Sequence, residues 1–220
     1  MASTPSPVPA GVLSAGHGPT AVSALAGALG GVRGVVEAGL PGVAFALIFS
    51  LTRVVSTAVT AAVVLGVLLA VARLVRRDTL RHAGVGLVGV VVAALVALRT
   101  GSAQAYYLPG LLLNGGYAAA YALSALLGWP LLGLVLGPLL GEGVRWRQDP
   151  VRRRAYTAAT WVWAGVYALR LAVGVPLYLS GAVLWLGVSR VALGVPVFVL
   201  GAWLTYGLLR RLPSTGTPPA

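Results

Sequence analysis

Cysteine and lysine are both missing from this 220-residue chain. Without cysteine there is no disulfide framework and no thiolate metal site. Acidic residues number only four (Glu37, Asp78, Glu142 and Asp149), and histidines two, His17 and His82. None of these forms a carboxylate pair or a His-x-x-x-His ligand spacing, the arrangements that hydrolytic and metal chemistry use. No Gly-x-Ser-x-Gly elbow and no phosphate-binding glycine loop occurs either. The chain is therefore not expected to be an enzyme, and no cofactor or metal is expected. Charged residues make up 9% of the chain, where a soluble domain carries about 25%.

What replaces them is apolar. The apolar share is 58% and mean hydropathy is +0.91. The apolar residues come in continuous runs near the ~20 residues that cross a bilayer as a helix. They do not alternate as barrel strands do. The expected fold is an all-α integral membrane protein, a six-transmembrane-helix bundle. Spans fall at about 36–51, 54–72, 83–98 and 106–128, with the last two forming a hairpin over 155–209 that turns at Ser180-Gly181. Pro41 reads as a first-turn proline, and Glu37 sits where it suits the helix dipole. Residues 129–141 are apolar but too short to cross, and they hold two prolines and three glycines. This segment reads as re-entrant or interfacial. Residues 1–30 read as a disordered cytoplasmic tail, 31–211 as one transmembrane domain, and 212–220 as a second tail.

All sixteen basic residues are arginine, for a net charge of +12. In a soluble chain that would suggest nucleic acid. Here the arginines cluster between apolar runs, so nucleic acid is not expected as a partner. Arg73, Arg76, Arg77 and Arg81 follow the second span, and Arg145, Arg147, Arg152, Arg153 and Arg154 precede the fifth. Both clusters read as contacts to anionic lipid headgroups. With six spans, twelve arginines fall on the side of both termini. The positive-inside rule then places both termini in the cytoplasm. Small residues at four-residue spacing (Ala62/Gly66/Ala70, Gly89/Ala93/Ala97, Gly116/Ala120/Ser124/Gly128) predict close helix packing, within the chain or in a homo-oligomer.

Inside the hairpin a phrase occurs twice. Arg170-Leu-Ala-Val-Gly174-Val-Pro176 is echoed by Arg190-Val-Ala-Leu-Gly194-Val-Pro196. An arginine in an apolar span costs roughly 2.5–3.5 kcal/mol on insertion scales, so it needs a partner or a route to water. Helical side chains lean towards the helix N-terminus. Arg190 can therefore snorkel to the headgroups, while Arg170 points into the bilayer. Arg170 then needs Asn114, a backbone carbonyl, water or an anion. Arg170, Arg190, Asn114 and Thr60 form the candidate polar site, with Glu37 and Glu142 as polar candidates on the cytoplasmic side. Pro196, mid-span, is expected to kink the sixth helix.

The runs Leu29-Gly-Gly-Val-Arg33-Gly-Val-Val-Glu37-Ala-Gly-Leu-Pro41, Leu108-Pro-Gly-Leu-Leu-Leu-Asn114, Trp129-Pro-Leu-Leu-Gly133, Trp146-Arg-Gln-Asp-Pro150 and Val175-Pro-Leu-Tyr178 resemble the actinobacterial membrane family catalogued as domain of unknown function 3159. The resemblance covers about residues 28–211. It implies a multi-pass plasma-membrane protein without an established activity. Leu40, Pro41 and Phe45 also resemble the opening of the intracellular septation protein A family, which implies a cell-envelope role. Two functions remain open from sequence. One is a non-catalytic envelope scaffold or accessory protein; the other is a small-solute transporter or channel, for an anion, using Arg170 and Asn114.

Overall fold

The computed structural model describes residues 31–75, 80–210 and 212. The two expected tails (apart from Leu212), Arg76 and Arg77, and the side chains of Glu37, Arg73 and Arg81 lie outside the described residues.

Every regular element among the described residues is helical. α1 (Gly31–Thr52) and α2 (Val55–Val75) form a hairpin, reversed within two residues because Arg53 takes a left-handed φ of 56°. Its N–H still reaches back to the Phe49 carbonyl at 2.8 Å. Pro41 falls inside α1 rather than in its first turn, since the helix begins earlier than its apolar run. α3 (Leu80–Thr100) packs along α2, and a short 3-10 turn, Gln104–Tyr107, leads into α4 (Leu108–Leu126). α5 (Leu131–Leu139) is a nine-residue helix bent 82° from the preceding one. It is too short to cross a bilayer by itself. A 3-10 turn at Arg145–Arg147 precedes α6 (Pro150–Leu179), the longest helix at 30 residues. Its start is set locally. Pro150 occupies N1, and the Asp149 carboxylate accepts from the Val151 N–H at 2.8 Å, an N-cap of the usual kind. Gly181, at φ 66°, turns the chain into α7 (Val183–Ala192), and α8 (Val195–Leu209) completes the fold.

Three stretches of the described residues are long and apolar enough to cross a membrane: Val55–Ala72, Pro150–Leu179 and Val183–Leu209. A fourth arises if the bent pair Gln104–Leu126 and Leu131–Leu139 is one span. The six crossings expected from sequence are therefore met at three or four places by length and composition. Gly39–Thr52 and Gly86–Thr100 are apolar but only 10–17 residues long. They are the parts of α1 and α3 whose side chains are described; the helices themselves run to 22 and 21 residues, which at ~1.5 Å per residue is about the length of a ~30 Å hydrocarbon core. Only 17–22% of the residues in the three full-length windows are buried inside the protein. Leu68, Leu95, Trp161, Trp185 and Trp203 are among the large apolar side chains facing outward. A water-soluble monomer rarely exposes so much contiguous apolar surface. The chain is a membrane protein.

Where helices meet, the residues are small. Ala58, Ala62, Ala93, Ala94 and Ala97 line one core with Phe45 and Tyr106, whose rings stack at 4.1 Å. The first two small-residue stripes thus contribute to packing within the chain, whereas Gly116 and Ala120 face outward. α1 and α7 come so close that a Cβ added at Gly187 would lie 2.5 Å from the Ala46 Cβ. There a glycine is obligatory.

Candidate functional site

The sequence expects a kink at Pro196; the structure has a full break. α7 ends with Leu193 as its C-cap, and Gly194, at ψ −86°, starts α8 with Pro196 in its first turn. The chemistry is local. Pro196 has no N–H for the Ala192 carbonyl, and its ring crowds the preceding turn. Carbonyls at the end of α7 are left exposed at a point where water is scarce, and they carry the negative end of the helix dipole.

Arg170 supplies what is missing. From α6, its Nε donates to the Leu193 carbonyl at 3.1 Å and its Nη2 to the Gly194 carbonyl at 3.0 Å. The planar guanidinium spans two successive carbonyls, which a lysine ammonium cannot match in geometry. The Tyr167 ring lies 5.7 Å from the guanidinium carbon. Arg170 is half-buried, in the seam between α6 and the α7–α8 break.

Its expected companions are elsewhere. Asn114 donates to the Gly110 carbonyl of its own helix at 2.8 Å. Thr60 is exposed and donates to Ser56, one turn back, at 2.9 Å, the usual self-satisfaction of a hydroxyl on a helix. Arg190 is exposed and lies across α1 and α4. A Cβ added at Gly42 would be 3.4 Å from its Cδ, and one at Gly110 would be 3.6 Å from its Nη1. The candidate residues therefore do not converge on one site. Arg170 closes a helix break, and Arg190 lies over two glycines.

A second polar centre forms at the other end of α6. Arg152 was expected at the headgroups; it is instead buried and paired with Glu142 through its Nη1. Tyr156 donates to the other Glu142 oxygen at 3.1 Å, and Asp149 lies 3.4 Å from the Arg152 Nε. Burial follows from register: Arg152, Tyr156, Ala159, Trp163 and Val166 share the buried face of α6, at the helical spacing of three and four. That spacing was readable beforehand, but the neighbouring arginines masked it. Arg145, Arg153 and Arg154 remain exposed, while Arg147 covers the Trp129 ring at 3.5 Å.

Trp146 locks this corner. It is 1% exposed and sits edge-on to Tyr156 at 5.4 Å. Gly133 and Gly137 of α5 form its seat. A Cβ at Gly133 would come within 2.8 Å of the indole, and one at Gly137 within 2.6 Å of it and 2.5 Å of the Gly143 carbonyl. No cluster of three metal-ligating side chains occurs among the described residues.

Residues 29–215 match the family model described as a protein of unknown function, DUF3159. No curated protein and no solved structure shows significant similarity to the chain. The match covers most of the sequence, and with it the two polar centres and the broken helix: the chain belongs to the DUF3159 family.

Proposed function

We propose that this protein is a non-catalytic, multi-pass component of a bacterial plasma membrane, acting as an envelope scaffold or accessory protein. One observation carries the reading. Arg170, the cation best placed to serve a permeating solute, uses its guanidinium to hold two backbone carbonyls together. In this reading the helices of Gly39–Thr52 and Gly86–Thr100 also cross, making six spans, and α5 lies re-entrant or at the interface. Both termini are cytoplasmic, as the arginine distribution favours. Arg145, Arg153 and Arg154 face anionic headgroups there. The outward stripe of Gly116 and Ala120 offers a surface for a second copy.

The second reading is transport of a small solute, an anion, past Arg170 and Asn114. What favours it is the discontinuous α7–α8 helix, because interrupted helices build the substrate sites of many transporters. Proteoliposome flux separates the two readings. Wild-type protein and Arg170→Ala are both expected to pass a panel of inorganic and organic anions no faster than empty liposomes. A wild-type flux above that background, lost in Arg170→Ala, would replace the scaffold with a transporter.

A further inference from the structure

We propose that Arg190 is the anchor of a binding site for a phosphate-type oxyanion, at the end of the bundle that holds the Ser180–Ala182 turn. The residue lies seven positions after the start of α7, so its Cα is about 10 Å from that turn. Its side chain runs back towards the turn. Val191 meets Gly39, yet the Arg190 Cδ has already come level with Gly42, which lies beside Gly187. The two glycines Gly42 and Gly110 leave a flat floor, one on α1 and one on α4, on which the arginine lies.

Arg190 is exposed, and its guanidinium makes no hydrogen bond to a described residue, although it brings five N–H donors. Among the described residues nothing acidic offsets it. Arg53 at the α1–α2 turn and Arg99 at the end of α3 share this end of the bundle, and neither makes an ion pair among the described residues. The described carboxylates, Glu142 and Asp149, are at the opposite end of α6 and already engaged with Arg152. Arg170 adds a further positive charge within electrostatic reach. A field of one sign next to low-dielectric lipid concentrates anions. An exposed planar fork of donors suits a phosphate in particular.

The phosphate can belong to a lipid headgroup or be free in solution. Because the chain has no cysteine, Trp185→Cys gives a unique attachment point for a fluorophore, on an exposed position of the same helix. The full chain carrying it is reconstituted in nanodiscs. In one arm the nanodiscs contain phosphatidylglycerol or phosphatidylcholine, with a nitroxide near the head of the acyl chain. A lipid phosphate is expected to enrich phosphatidylglycerol at the label about fivefold over phosphatidylcholine, seen as excess quenching. In the other arm inorganic phosphate is titrated into unlabelled phosphatidylcholine nanodiscs. Free phosphate as ligand is expected to change the emission saturably. Whichever response occurs is expected to vanish in Arg190→Gln and persist, weakened, in Arg190→Lys. Silence of the wild-type background in both arms overturns the proposal, as does a response that survives in Arg190→Gln. The wild-type arms stand even if the glutamine variant fails to fold.

Discussion

Arg170→Met is expected to loosen the α7–α8 segment by about 2 kcal/mol. The estimate takes two hydrogen bonds at roughly 1 kcal/mol each, within the 0.6–1.7 kcal/mol found for bonds between membrane helices. The soluble-protein figure for bonds to charged groups, about 1.5–3 kcal/mol each, overstates the loss, because a separated helix in lipid also finds partners for its arginine. The opposing effect is real but acts elsewhere. Removing the charge eases insertion of α6 by roughly 2.5–3.5 kcal/mol, and that gain is present whether or not the helices are assembled. Assembly should therefore weaken while insertion improves. Amide hydrogen exchange over residues 189–198 is expected to speed up about thirtyfold, with no comparable change in α2 or α3. Arg170→Lys should behave more like methionine than like wild type, since one ammonium cannot bridge both carbonyls. Unchanged exchange in Arg170→Met would mean that the break holds itself.

Glu142→Leu is expected to cost about 3 kcal/mol, the lower end of what removing one partner of a buried ion pair does. Arg152 stays buried and loses the Glu142 carboxylate, with Asp149 at 3.4 Å among its described neighbours, and Tyr156 loses its acceptor. The double variant Glu142→Leu/Arg152→Leu should recover part of that loss, because much of the penalty comes from leaving a buried charge less well compensated rather than from the worth of the pair. Equilibrium unfolding in mixed micelles measures both. Simple additivity of the two single variants would contradict the pairing.

These two centres differ in how far the sequence revealed them. The need of Arg170 for a partner follows from the lean of helical side chains and the direction of α6, and a backbone carbonyl was among the candidates. That the carbonyls would be those of Leu193 and Gly194 was hidden. The same phrase folds in two ways. Around Gly174 and Pro176 the helix runs on to Leu179, with Gly174 pressed so closely to α4 that an added Cβ would meet Leu111 at 2.6 Å. Around Gly194 and Pro196 it breaks. Local sequence is nearly the same; the neighbours differ, and only the second copy has an arginine from another helix to cap it.

Arg152 was misplaced for a related reason. A basic run looks like a solvated face, and composition hides the one member whose register with Tyr156 and Trp163 turns it inward. A segment at 129–141 too short to cross and the turn at Ser180–Gly181 are legible because glycine, proline and length constrain the backbone directly; that the segment holds a helix over Leu131–Leu139 comes from the structure. The number of crossings follows from hydropathy and the placement of the arginines. Hydropathy credits residues 36–51 and 83–98 with spans, where the structure has helices of 22 and 21 residues whose described apolar parts are Gly39–Thr52 and Gly86–Thr100.

The central claim is that α6 passes through the membrane, with the arginine corner in the cytoplasm and the Ser180 turn outside. Single cysteines at Arg154 and Ser180, both exposed, can be tested against a membrane-impermeant maleimide in intact expressing cells. The account requires Ser180→Cys to be labelled at once and Arg154→Cys only after permeabilisation. Labelling of Arg154→Cys in intact cells, or protection of both positions until the membrane is opened, would contradict it.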